Sequence, residues 1–195
     1  MTPEVAAQLR AINRKFYEQV ADGFSESRQR PQPGFFQLLD WLPPRCRTVL
    51  DIGCGNGRFG HFLQAHGHDI DYTGIDNSAG LLAYARPLLP EATFVHADMT
   101  TPGFLAGRGQ FDLVVCLAAM QHVPGRDNRG QLLAEMGDHL AENGRIFLSN
   151  WQFLSSERQR RKIQPWARVG LAASDVEAND YLLSWQRQTT GLRYV

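Results

Sequence analysis

Val49-Leu50-Asp51-Ile52-Gly53-Cys54-Gly55-Asn56-Gly57 is a β-rich run that drives straight into alternating glycines. Residues 48 to 53 suit a buried parallel strand that ends at a ligand-binding turn. Without side chains at Gly53, Gly55 and Gly57, the backbone can turn sharply and approach a ligand closely. Structural loops use such glycines too, so the run alone leaves both readings open. Its setting favours a ligand: a strand precedes it, a helical stretch follows, and Asp76 closes the next strand about 20 residues on, where a ribose hydroxyl pair would be gripped.

Working outward, further strands are expected at Tyr72 to Asp76, Thr93 to Asp98, Phe111 to Ala118 and Gly144 to Asn150. Helical stretches lie between them at Arg58 to His66, Ala79 to Leu88 and Asn128 to Ala141. Strands that alternate with helices imply a parallel sheet covered on both faces, a doubly wound Rossmann-like α/β fold. Ahead of the sheet, Glu4 to Asp22 reads as an amphipathic helix and Gly34 to Leu42 as a second, ended by Pro43-Pro44. One domain is expected over 1–195, with a helical cap at 1–47, a nucleoside-binding core at 48–150 and an acceptor-side segment at 151–195. No antiparallel strands can be read after residue 150.

The acid inside the glycine run bears on which nucleoside is bound. Dinucleotide sites favour GxGxxG, whereas here the third glycine comes one residue early. Asp51 would repel a pyrophosphate yet suits the ammonium and sulfonium of S-adenosylmethionine (AdoMet). Asp98, with Met99 beside it, is placed to accept the adenine amino hydrogen; the alternative is that Asp98 caps the segment after it. Gly53, Cys54, Gly55, Asn77 and Leu117 complete the expected cofactor contacts at the carboxyl ends of the strands.

The same run, with Asp76 and Asp98, resembles the class I AdoMet-dependent methyltransferases over residues 48 to about 150. A narrower likeness covers nearly the whole chain. Tyr17 to Arg28, Met120-Gln121-His122, Asn150-Trp151-Gln152, Asp180 to Trp185 and Leu192-Arg193-Tyr194 are similar to segments of the tRNA wobble-uridine carboxymethyl methyltransferases. That resemblance implies that Arg28 pairs with the methionine carboxylate, as a guanidinium fork is suited to do, and that Tyr17 lines the same pocket. The chain departs from the family pattern in having Gln121 where a histidine usually precedes His122. It also stops where the family continues into antiparallel strands, as a truncated form or one whose sheet is completed differently.

On the acceptor side, His122 is the candidate acid or base because its pKa lies near neutrality; its alternative is a structural hydrogen bond. Trp151 is read either as a wall of the acceptor pocket or as core. A basic cluster at Arg158, Arg160, Arg161, Lys162 and Arg168, with Trp166 among it, permits RNA binding with the help of a protein partner. Against this, Lys plus Arg and Asp plus Glu are both 20, so the overall charge gives no pull toward nucleic acid. A small-molecule methyltransferase and a non-catalytic AdoMet-binding subunit are therefore the alternatives. Cys46, Cys54 and Cys116 show no ligand-type pairing with His61, His66 or His68, so no metal is expected. No apolar run approaches the roughly 18 residues of a membrane span, and a cytoplasmic location is expected.

Overall fold

A computed structural model describes residues 1–28, 30–186 and 190–195. Its centre is a five-stranded parallel sheet in the order β3-β2-β1-β4-β5. The strands are β1 (Thr48–Ile52), β2 (Asp71–Asp76), β3 (Thr93–His96), β4 (Phe111–Leu117) and β5 (Leu140–Ser149). Between them run α3 (Arg58–Ala65), α4 (Ala79–Leu88) and α5 (Arg126–Asp138); α1 (Pro3–Glu26) and α2 (Pro33–Leu39) come first. The doubly wound fold expected from the alternation is thus present.

Successive strand residues feed opposite faces of the sheet. Val49, Leu113 and Val115 join Phe59, Phe62, Leu82 and Ala85 of α3 and α4 in one core cluster. Leu50, Ile52, Val114 and Cys116 join Leu132 and Met136 of α5 in the other. Each such aliphatic side chain, fully removed from water, contributes about 2 kcal/mol before entropy is counted. The buried Asp51 stands out in this setting, because its strand is otherwise built to exclude polar groups.

Local chemistry explains the helix limits. The Thr2 hydroxyl accepts from Val5 N–H and Pro3 opens α1, while Leu9, Asn13, Phe16 and Val20 form a buried stripe at helical spacing. That stripe persists beyond Asp22, with Ser25 also buried, and the helix continues to Glu26 rather than ending at the predicted residue. At its other limit, α5 stops at Asp138 and not Ala141, because Leu140 is taken into β5 opposite Phe111. A register shift follows, with Asn143 at φ 64° absorbing the extra residues before Arg145 pairs Leu113.

After β5 come the short α6 (Glu157–Arg160) and three strands, β6 (Ile163–Gln164), β7 (Leu182–Gln186) and β8 (Thr190–Tyr194). These pair antiparallel as a separate sheet in the order β6-β7-β8. The parallel sheet therefore ends at β5, as expected, but the tail does hold strands that the sequence pattern did not reveal. Leu182 and Leu183 are both fully buried, so β7 lacks the apolar-polar alternation that marks a one-sided strand. β8 lies along α1, where Gly191 permits the approach: a Cβ there would stand 2.8 Å from the Phe16 ring.

Candidate active site

In the strand order 3-2-1-4-5, connections leave β1 and β4 toward opposite sides, which opens a crevice at their carboxyl ends. A cleft of about 1070 Å³, its open mouth included, occupies that place. Every site position singled out from the sequence lines it: Tyr17, Arg28, Asp51, Gly53, Cys54, Gly55, Asp76, Asn77, Asp98, Met99, Leu117, His122 and Trp151.

The glycine loop forms the floor. Gly53 has φ 76°, and a Cβ on it would fall 2.4 Å from the Ala119 side chain and 3.3 Å from the Met99 methyl group. Only glycine suits both the conformation and the space. The loop is locked to β2 through Asp76, whose carboxylate accepts from Gly55 N–H and Ser78 N–H, each at 2.8 Å. Burial raises the Asp76 pKa, and those two N–H bonds oppose the rise. Each carboxylate oxygen keeps a further acceptor site, as a ribose diol requires. Next to Asp76, the Asn77 carbonyl accepts from His96 Nε2 at 3.0 Å.

Asp51 is buried at the end of β1, where the Tyr72 hydroxyl donates to it at 2.6 Å. Burial pushes its pKa up to about 7, with the Asp76 charge adding to the rise and the Tyr72 bond and Arg58 charge resisting it. A carboxyl group so poorly solvated is suited to a positively charged partner. Asp98 does cap the segment after it: Oδ1 accepts from Thr100 N–H at 2.9 Å and from the Thr100 hydroxyl at 2.7 Å. Its Oδ2 lies 3.5 Å from Arg14 at the more exposed rim.

Opposite this floor stands a wall made from the first helix, the turn after β4 and the tail. The Tyr17 hydroxyl and His122 Nε2 are 2.9 Å apart, and His122 Nδ1 lies 2.8 Å from the Tyr194 carbonyl. A carbonyl only accepts, so Nδ1 carries the proton and Nε2 accepts from Tyr17. Burial, helped by the Arg193 charge, drives the His122 pKa down to about 4, and the ring is neutral at physiological pH. Trp151 stands beside His122, its backbone N–H donating to Gln121 Oε1 at 3.3 Å. Thus Gln121, which breaks the family's histidine pair, ties the end of β5 to this turn.

Three further residues were not singled out individually by sequence reasoning. Asn13 accepts from Tyr194 N–H at 2.8 Å and donates to its carbonyl at 3.1 Å, joining α1 to β8. Arg58, the first residue of α3, lines the cleft near Phe35, and burial lowers its pKa to about 10. Its place directly after Gly57 was the available signal. Arg193 is 2% exposed and stacks against Trp151 at 4.0 Å from the ring centroid. Only its place in a family-like segment marked it.

The residues present fit AdoMet on structural grounds: a side-chain-free floor, a diol-sized carboxylate and a buried acid for a cationic centre. Known proteins agree. Residues 49–144 match the family model described as a methyltransferase domain. A candidate methyltransferase of Encephalitozoon cuniculi is 31% identical over 92% of this chain and 77% of its own length. A tRNA (carboxymethyluridine(34)-5-O)-methyltransferase of Saccharomyces cerevisiae is 27% identical over 75% of this chain, which spans 50% of that relative. A trans-aconitate 2-methyltransferase of Delftia acidovorans is 38% identical over 51% of this chain and 37% of its own length. Among solved structures, the SAM-bound amino pentose methyltransferase CalS10 of Micromonospora echinaspora shares the fold, with a TM-score of 0.59 and 23% identity over 90% of this chain and 78% of that one. No helix among the described residues is long and apolar enough to cross a membrane, and no group of three or more His, Cys, Asp or Glu among them is placed to hold a metal. By fold, glycine loop and relatives together, the chain belongs to the class I AdoMet-dependent methyltransferases.

Proposed function

We propose that this methyltransferase esterifies a carboxylate, and that its acceptor is a carboxymethylated uridine of tRNA. The observation that carries this reading is the state of His122. Both ring nitrogens are engaged, the ring is neutral, and its basicity is reduced to a pKa of about 4. A histidine committed in this way is a poor base for stripping a hydroxyl or ammonium acceptor. A carboxylate needs none, being nucleophilic at neutral pH.

AdoMet, when bound, supplies a methyl group on a positively charged sulfur, so that one C–O bond forms, one C–S bond breaks with its electron pair left on sulfur, and no proton moves. The chain's work is then positioning and electrostatics. Asp76 would hold the ribose hydroxyls, Asp98 and Met99 would face the adenine, and Arg28 and Tyr17 would lie at the methionine end. Gly53, Cys54, Gly55, Asn77 and Leu117 shape the space between, and Asp51 complements the cationic centre. Trp151 and His122 border the acceptor.

A tRNA acceptor is supported by the activity of the yeast relative and by the exposed arginines 158, 160, 161 and 168 beyond β5. Part of that charge is neutralised locally, since Arg161 pairs with Glu157; Arg168 donates to Gln164 and keeps its charge. A protein partner that adds basic surface in the cytoplasm fits this reading. The second reading, a small carboxylic acid, is favoured by the likeness to the trans-aconitate enzyme.

Methyl-labelled AdoMet with bulk tRNA, and separately with a metabolite extract, tests both. Label in tRNA that alkali releases as methanol supports the ester on tRNA, and alkali-labile label in the extract alone supports the second reading. Alkali-stable label refutes the carboxylate acceptor. AdoMet binding without transfer to either pool would make the chain a binding subunit.

A further inference from the structure

Arg193 is the one fully buried guanidinium among the described residues, and it has no anionic partner there. Its side chain is 2% exposed, and its Nε and Nη1 are both buried without a hydrogen-bond partner. No described carboxylate lies within ion-pair distance of it. The four undescribed residues are Gln29, Arg187, Gln188 and Thr189, none of them acidic. Three aromatic rings surround it, with centroids at 4.0 Å (Trp151), 5.4 Å (Phe16) and 5.5 Å (Trp185). Its polar neighbours are the Tyr17 phenol, which burial keeps protonated and with which it shares a side-chain hydrogen bond, and the Arg28 guanidinium, which repels it.

Stacking on aromatic faces offsets part of the cost of burying this charge, but it leaves the Nε and Nη1 donors unused. A buried cation of this kind is expensive to keep. A hydrophobic side chain of similar length would fill the same space among these rings at lower cost. The position gains its purpose from what lies next to it: Tyr17 and Trp151 both adjoin the guanidinium, both line the cleft, and both contact His122 on its acceptor side.

We infer that Arg193 is the specificity-determining receptor for the acceptor's negative charge, reached between the Tyr17 hydroxyl and the Trp151 indole. The inference rests on the proposed carboxylate-acceptor reading and deepens it by naming the group that selects an anion over its neutral counterpart. In this arrangement the acceptor completes the hydrogen bonding that the fold leaves open. The guanidinium directs one carboxylate oxygen, and the other is left to face the methyl donor.

The test is equilibrium binding of carboxymethyluridine nucleoside and of trans-aconitate, each beside its uncharged amide. Titrations are followed by intrinsic tryptophan fluorescence, with and without S-adenosylhomocysteine. Wild type is expected to bind at least one acid and to disfavour the matching amide. Arg193→Met is expected to weaken acid binding by about 10- to 100-fold, the worth of a charge-assisted hydrogen bond, while its affinity for S-adenosylhomocysteine stays within about threefold. Its melting temperature should equal or exceed that of wild type. If Arg193→Met does not fold, Arg193→Lys supplies the comparison: the charge is kept, the planar fork is lost, and acid affinity falls about tenfold. Equal binding of acid and amide, wild-type acid affinity in the folded variant, or no acid binding by wild type overturns the inference. Failure of the chain to bind S-adenosylhomocysteine strikes at the cofactor assignments instead, while the titrations without it still read Arg193.

Discussion

Between residues 48 and 149, each strand passes to the next through a helix or loop, and the floor of the cleft is assembled from consecutive strand ends. The opposing wall joins Asn13 to Tyr194 and Tyr17 to His122, contacts that span 181 and 105 positions. The charges differ as much as the connectivity. Asp51, Asp76 and Asp98 stand on the floor, whereas Arg193 sits behind the wall. An acidic floor suits a cationic donor, and on the proposed reading the buried guanidinium serves an anionic acceptor, so that the two reactants would not compete for the same place.

Damage to the floor should have the largest effect. Gly53→Ala puts a methyl group 2.4 Å from Ala119 in a left-handed conformation. Overpacking and backbone strain together predict a loss of about 3 kcal/mol in urea unfolding, with AdoMet binding abolished in calorimetry. Wild-type affinity in this variant would mean that the floor is not where the donor lies.

A cut in the wall should separate the two regions. Asn13→Ala leaves the Tyr194 N–H without its side-chain partner inside the protein, while the Tyr194 carbonyl keeps only the bond from His122 Nδ1. Stability is expected to fall by about 2 kcal/mol, methyl transfer by roughly tenfold or more, and AdoMet affinity by no more than about threefold. A parallel loss of donor affinity would show that floor and wall form one unit.

The mildest probe is pH. The Asp51 pKa, raised by burial from the ordinary 3.8 to about 7, means that the empty protein loses this group's contribution to stability as pH rises through about 7. Binding a cation has the opposite sign, since it favours the ionised form and releases the proton. AdoMet affinity should therefore climb up to about tenfold per pH unit below 7 and level off above it. Asp51→Asn should flatten that profile and weaken binding at pH 8; an unchanged slope would assign the titration to another group.

The same contrast explains what was legible in the sequence. Floor residues announce themselves locally: Asp51 and Gly53 lie within one nine-residue run, and α4 spans Ala79–Leu88 as read from its pattern. The wall has no local signature. β7 is buried on consecutive residues, and β8 takes its meaning from Asn13 and Phe16 at the other end of the chain. Tyr17, Arg28 and His122 were found through likeness to a family, and Arg193 was noted only as part of a similar segment. Nothing in a linear pattern shows that an arginine near Trp185 stacks on Trp151 behind the wall of the cleft.

The clasp between Asn13 and Tyr194 also sets an order of events during synthesis. Residues 48 to 149 hold the whole parallel sheet and the glycine loop, so the floor can form on a growing chain by contacts local in sequence. The wall waits until residue 194 is available to meet a helix made some 180 positions earlier, across a closure whose entropy grows only slowly with length. A ribosome-bound intermediate can thus form the glycine loop and the strand ends around it before the wall opposite them exists, and the cleft is complete only once β8 has docked on α1.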